Sequence, residues 1–328
     1  SNLVVAAGTA LSRVTGMLRV FVFLYVIGQT ALADAYLLGN ETPNIVYDLL
    51  LGGVLSATLV PLFTSYMGDE ERSTDLRATN VIVTTATTLM VGLTVAAVLA
   101  APLIFRLYSL NVSDDVDPEL FRSVGTTLTR IFLVQILFYG LTGIANAYLQ
   151  SRRRFFAAAW SPILPNVIIV VTLLSLPGSG DTTWDLPDVI ANDRLRWTLG
   201  LGATLGIASM ALVVVPAALR SGLRFRPVWD WRHPAVRKLL VMSGWTIGFV
   251  AANQLAVLVV RNLAVREGEG IAAAYFAAFT WFVLPHGLLA VSISTTFQPE
   301  IARAVKAKDR DAFVGHMSTG TRLIALLT

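Results

Sequence analysis

Nine apolar stretches follow one another along this chain, near residues 4–28, 32–66, 81–108, 121–149, 156–176, 197–219, 236–263, 271–302 and from about 317 to the end. About 20 predominantly apolar residues are enough for one bilayer crossing. Backbone in lipid must satisfy its own hydrogen bonds, so a run of such stretches specifies an all-α polytopic membrane protein. Composition agrees, with 55% hydrophobic and 14% charged residues; a soluble domain carries roughly 25% charged. A soluble enzyme core is thereby excluded. The chain has no cysteine and three histidines, so neither a metal nor a cofactor is expected.

The net charge of +4 could indicate nucleic acid, but its distribution indicates topology. Loops after the even-numbered stretches hold fifteen Lys and Arg, whereas those after the odd-numbered ones hold five, Arg106, Arg122, Arg194, Arg196 and Arg266. The positive-inside rule then places the N-terminus in the cytoplasm and the acidic 178–193 stretch outside. The first stretch is no cleavable signal peptide, because Arg13 and Arg19 lie within it. Stretches two and eight exceed a bilayer's needs, so bends are expected at Pro43 and Gly52-Gly53, and at Pro285 with Gly287.

The same two stretches share an internal repeat. Ala35-Tyr36 matches Ala274-Tyr275 at an offset of 239, and Ser56–Pro61 matches Ser294–Pro299 at 238. Six stretches apart, they cross in the same direction, which makes a parallel repeat of two helical lobes. The expected division is a six-helix lobe over 1–220, a basic cytoplasmic linker over 221–235, and an incomplete second lobe over 236–328. Trp229 and Trp231 suit the headgroup level, in a plain orienting loop or an amphipathic lipid-binding linker.

Ionisable side chains within a span cost roughly 2.5–3.5 kcal/mol on insertion scales and usually face a partner or a cavity. Arg13 and Arg19 lie deep in stretch one, Arg261 near the outer end of stretch seven, while Arg130 and Arg322 are near enough to span ends to snorkel. Asp34, Glu41 and Asp48 are spaced seven apart, two helical turns, and so share approximately one face. Depth counting sets Arg19 level with Glu41, and Arg13 level with Asp48, with Pro43 and Asn44 between. This predicts two ion pairs in a hydrated cavity, or a closed network that fixes helix register. Arginine's planar fork suits phosphate oxygens. Asn166 serves either the cavity or a helix–helix hydrogen bond, His286 is expected to be packed, and Arg152–Arg154 orient the chain. No P-loop, nucleophile elbow or metalloprotease motif is present.

Ser12-Arg13-Val14-Thr15-Gly16-Met17-Leu18-Arg19, Ala33-Asp34-Ala35-Tyr36, Thr42-Pro43-Asn44, Gly52-Gly53 and Val60-Pro61 resemble the opening of the MurJ/MviN family. Leu284–Val291 followed by Pro299 resembles that family's eighth helix, and Pro43–Gly53 is similar to its actinobacterial branch. The resemblance implies a lipid II flippase of the multidrug/oligosaccharidyl-lipid/polysaccharide exporter superfamily. It implies fourteen helices, alternating access in the plasma (inner) membrane, and no covalent chemistry. Arg13, Arg19, Ser12 and Asp34 match family positions, and Arg13 and Arg19 are implied to bind the pyrophosphate, with Asn44 and Arg261 as further substrate contacts. Glu41 and Asp48 are expected as gating or ion-pair partners. Two family arginines are absent: Tyr47-Asp48 follow the Pro-Asn pair, and Ala278–Trp281 lack the one before Leu284-Pro285. Arg261 is the candidate replacement. Lipid II or a similar polyprenyl pyrophosphate, membrane lipids and cell-wall synthesis proteins are the implied partners, without nucleic acid.

Two rival readings remain, an exporter of another polyprenyl-linked saccharide or antiporter of a small cation, and a non-transporting membrane scaffold. Because the second lobe stops at its third helix, the chain is expected to be truncated.

Overall fold

The computed structural model describes residues 2–47, 59, 63, 72–152, 154–177, 184–224, 226–285, 293, 297, 301, 304 and 309–327, and among these the regular structure is helical throughout. The chain divides into two compact units, residues 1–273 and 274–328.

In the first unit, α1 (Asn2–Ile27) turns through Gly28 at φ +80° into α2 (Ala31–Tyr47). The Thr30 hydroxyl starts α2 by accepting from the Ala33 amide at 3.2 Å. Next comes α3 (Arg72–Tyr108), whose 37 residues rise about 55 Å, well beyond a hydrocarbon core of about 30 Å. The fourth crossing is built from α4 (Pro118–Leu133) and α5 (Gln135–Ser151), and the fifth from α6 (Phe156–Trp160) and α7 (Ile163–Leu174). A short α8 (Leu186–Ala191) precedes α9 (Asp193–Arg220), and α10 (Pro234–Glu267) leads to α11 (Ile271–Pro285). The second unit holds the rest of α11 and α12 (Arg310–Leu327), where Phe297 packs on His316 with ring centroids 6.3 Å apart.

Polar loop residues serve as helix starts. Asp117 accepts from the Glu119 and Leu120 amides, Asp185 and Asp188 form a capping box, and Asn192 accepts from Leu195. Each cap satisfies amides that the first helical turn leaves open.

All nine expected stretches coincide, in their described parts, with helices. Five of these, Ala7–Ile27, Arg77–Tyr108, Pro118–Ser151, Phe156–Leu174 and Asp193–Arg220, are long and apolar enough to cross a membrane. Helix α2 runs on past Pro43 to Tyr47, and α11 is described as far as Pro285. Gly52-Gly53 and Gly287 lie outside the described residues, as does nearly all of the second repeat segment. The fourth crossing breaks at Val134, where the Leu137 amide reaches back only three residues (3.2 Å). The fifth breaks at Ser161-Pro162, because Pro162 and Pro165 each lack the amide a continuous helix would use.

Small residues bring the helices together. A Cβ on Gly39 would lie 2.8 Å from the Thr129 hydroxyl, so only glycine lets α2 seat on α4. There Tyr36 meets Phe132 edge-on at 5.1 Å and tilts against Phe23 at 4.9 Å. One buried cluster gathers around these rings with Phe105, Phe121 and Ile169, and a second around Phe63, Ile82, Met90 and Tyr148.

In its described residues the 221–233 linker is a strap of turns and irregular chain, not a helix. Its Arg226 amide donates to Asn80 Oδ1 (3.2 Å), its Val228 amide to Thr84 Oγ1 (3.0 Å), and Asp230 lies 3.7 Å from Arg77. Trp229 and Trp231 stay exposed, 6.5 Å apart.

Candidate functional site

Helix α1 carries a lengthwise apolar face, Leu11, Val14, Leu18, Phe21 and Tyr25, all exposed. Arg13 is exposed outside that stripe, and Arg19 is half-buried within electrostatic reach of Tyr36 on α2. Six residues separate the two arginines, which turns them about 120° apart on a helix. Among the described residues neither makes an ion pair.

Of the two expected ion pairs, that of Arg19 with Glu41 is not formed among the described residues, and that of Arg13 with Asp48 lies partly outside them. Glu41 meets Arg261 of α10, with Oε2 and Nη2 4.0 Å apart and both side chains largely buried. Asp48 lies outside the described residues. The Arg261 guanidinium carbon sits 5.3 Å from the centre of the Tyr108 ring, a cation–π contact. At 4.0 Å the carboxylate attracts the guanidinium without hydrogen bonding to it. Arg261 Nη1 is buried and has no hydrogen-bond partner among the described residues. A buried charged donor left open costs about 1–3 kcal/mol or more; among the described residues this guanidinium keeps such a donor beside an acid that does not saturate it.

The backbone around it is pinned. Asn262 donates to the Leu107 carbonyl at 2.7 Å and accepts from the Leu110 amide at 2.9 Å, while the Ser113 amide donates to the Val265 carbonyl. These bonds fasten the C-terminal part of α10 to the end of α3 and hold Arg261 beside Tyr108.

Asp34 is buried, and its two oxygens are both used. Oδ1 accepts from the Ala273 amide at 2.7 Å and Oδ2 from the Gly270 amide at 2.9 Å, so the carboxylate caps the start of α11. Glu269 returns the favour by accepting from the Ala31 amide at 3.0 Å, at the start of α2. Carboxylates are favoured at both places, because helix N-termini carry open amides and partial positive charge. Gly270, at φ +73°, rests against the Gln29 carbonyl too closely to admit a Cβ.

Ser12 is half-buried, and its carbonyl accepts from Asn166 Nδ2 at 3.2 Å. The same nitrogen reaches Thr15 Oγ1 (3.1 Å) and the Pro162 carbonyl (3.2 Å). Asn166 is therefore a helix–helix hydrogen bond, one of its two expected roles. Asn44 is half-buried on α2, one turn beyond Glu41, and His286 lies outside the described residues.

Sequence reading missed Tyr108, Asn262, Glu269 and Gly270. The repeat offset of 239 does pair Thr30 with Glu269, and both of them cap α2. A pocket-lining metal set is absent among the described residues.

Comparison with known proteins adds the family. The family model described as lipid II flippase MurJ matches residues 23–328. The probable lipid II flippase MurJ of Haemophilus influenzae is 26% identical over 334 residues, spanning 97% of this chain and 62% of that protein. Its counterpart in Vibrio cholerae is 25% identical, spanning 100% and 61%, and the lipid II flippase MurJ of Burkholderia cenocepacia is 24% identical, spanning 99% and 61%. The chain thus spans about three-fifths of the length of the relatives it matches. A solved structure titled lipid II flippase MurJ, inward closed conformation, shares the fold, with a TM-score of 0.74 at 19% identity over 99% of this chain and 62% of that one. This multi-pass inner-membrane chain belongs to the lipid II flippase MurJ family.

Proposed function

We propose that the protein translocates lipid II, the undecaprenyl-linked peptidoglycan precursor, across the inner membrane by alternating access. The observation that carries this reading is Arg261, a buried guanidinium with an open Nη1 and a carboxylate too distant to hydrogen bond. A pyrophosphate oxygen supplies what this arginine lacks, because charge-assisted bonds to phosphate form at hydrogen-bond distance and in parallel pairs. Arg13 and Arg19 act as further phosphate ligands, with Ser12 and Asn44 as neutral contacts. Glu41 attends Arg261 when no lipid is bound, with Asp48 as the second gating acid.

The Asp34–α11 cap and its Glu269 counterpart form the outer latch. A substrate biases a two-state carrier only through unequal affinity for its two states. Phosphate taking the place of Glu41 on Arg261, next to the pinned Asn262, is the contact through which binding would act on the latch. The lipid tail stays in the bilayer, and no bond is made or broken. Proteins of cell-wall synthesis are the partners this activity implies.

A depletion–rescue assay with the full-length protein tests the reading, scored with the accessibility of lipid II outside the cell. Arg261→Ala, and Arg13→Ala with Arg19→Ala, are expected to stop export at normal protein levels. Rescue by these variants would overturn phosphate binding. Rescue by them combined with failure of Glu41→Gln would favour cation antiport instead.

A further inference from the structure

Between the outer end of α3 and the first three turns of α4 lies an open groove of about 570 Å³. Three arginines line it: Arg106 from the last turn of α3, and Arg122 and Arg130 from α4. Arg106 and Arg130 take no part in the contacts around Arg261 or Asp34, and Arg122 meets them only at the Ser109 and Leu110 carbonyls. From this groove we infer a binding site for the headgroup of an anionic phospholipid of the outer leaflet, distinct from the translocation path.

The groove is built rather than incidental. Arg122 donates from Nη2 to the Ser109 carbonyl at 2.6 Å and to the Leu110 carbonyl at 3.3 Å, and from Nε to Ser109 at 3.2 Å. Those bonds fix its plane at the rim. Arg122, Thr126 and Arg130 follow at four-residue steps, a ladder about 12 Å long on one face of α4. Thr127 donates its hydroxyl proton to the Ser123 carbonyl (2.9 Å), which points its side chain along the same wall. Arg106 and Arg130 are exposed and make no ion pair among the described residues. Glu119 also lines the groove and is unpaired among those residues, so the cationic charge is only partly balanced.

Its surroundings name the ligand class. On α3 the wall continues inward through exposed Leu103, Leu99 and Val95, from 55% to 77% accessible. A single ligand therefore meets arginine at the outer end and aliphatic surface below, which is the profile of a phosphodiester headgroup with acyl chains. Depth is consistent. The 34-residue crossing from Pro118 to Ser151 rises about 51 Å, so its ends project beyond the hydrocarbon and Arg130 can snorkel up to phosphate level. Free phosphate would use the arginines and ignore the leucines.

The test is native mass spectrometry of the delipidated full-length protein, given phosphatidylglycerol or phosphatidylcholine with identical acyl chains. The wild type is expected to retain phosphatidylglycerol preferentially. Each of Arg106→Gln and Arg130→Gln should lower that retention about fivefold, the usual effect of one basic residue at an anionic surface. Glu119→Gln should raise it, which keeps the test decisive if an arginine variant folds poorly. Millimolar inorganic phosphate should not displace the lipid. Equal retention of the two lipids by the wild type would overturn the assignment. So would retention unchanged in all three variants, or displacement by phosphate, which would mark a site for a free anion.

Discussion

The Asp34 carboxylate lies 2.7 Å from the amide of Ala273, 239 positions further along the chain. The same carboxylate takes the Gly270 amide, and Glu269 takes the amide of Ala31. Helices α2 and α11 therefore begin at a shared point, each capped by an acid from the other's neighbourhood.

Removing that acid should be visible in hydrogen exchange. Each bond to a charged acceptor contributes about 1.5–3 kcal/mol, so Asp34→Ala should speed exchange of the 270–273 amides by at least about tenfold. Asp34→Asn keeps one acceptor oxygen and should have a smaller effect. Equal protection in all three proteins would show that the cap does not hold this end closed.

Two glycines with positive φ separate strain from crowding. Gly28 and Gly270 have φ of +80° and +73°. A Cβ on Gly28 meets only Thr30 Cγ2 at 3.6 Å, whereas one on Gly270 collides with the Gln29 carbonyl. Gly28→Ala should cost about 1–2 kcal/mol of backbone strain. Gly270→Ala should cost clearly more, read as the larger fall in Tm by thermal unfolding in detergent.

Asn166 offers a test of polarity at constant size. Its Nδ2 faces three acceptors, the Ser12 and Pro162 carbonyls and the Thr15 hydroxyl. Asn166→Leu loses those bonds, each worth about 1 kcal/mol. Asn166→Asp sets a carboxylate against oxygens that mostly cannot donate, and should unfold at a lower temperature than the leucine variant. The reverse order would mean that the nitrogen is not the anchoring atom.

Tyr108 supports Arg261 through its ring face. Tyr108→Phe keeps that face and should leave activity close to wild type, while Tyr108→Leu forfeits a cation–π contact worth about 0.5–2 kcal/mol. Lipid II export in the rescue assay should follow that order. If Phe and Leu variants are equally impaired, the hydroxyl matters and the ring does not.

The strap can be released without touching the membrane core. Asn80→Leu with Thr84→Val removes the acceptors of the Arg226 and Val228 amides. Trypsin added to inside-out vesicles should then cut faster after Arg224, whereas the Arg226-Pro227 bond resists trypsin in any state. Cleavage from the opposite side alone would invert the proposed topology.

Helix placement was legible in the sequence because lipid imposes one rule on every span. Partner choice was not legible. Glu41 was matched to Arg19 by depth, yet helix rotation turns Arg19 toward Tyr36, and α10 brings in Arg261, whose register depends on Asn262 grasping the end of α3. Asp34 was recognised as a residue of consequence, but its role depends on backbone amides, which leave no mark in side-chain identity. The breaks at Val134 and Ser161 followed from local hydrogen bonding and from prolines, whereas Pro43 left α2 intact as far as Tyr47.

Helix α3 holds the 226–265 segment at two places: the strap at Asn80 and Thr84, and the clasp of Asn262 on Leu107 and Leu110. A rod tethered to one post at top and bottom has lost its freedom to slide. Helix α10 can swing about the axis through its two tethers, yet it cannot travel along the membrane normal like a piston without tearing one of them. Motion that brings Arg261 toward or away from Glu41 is thereby confined to a pivot, and the hinge line runs through the neutral side chains of Asn80, Thr84 and Asn262, with the Arg77–Asp230 pair beside the strap.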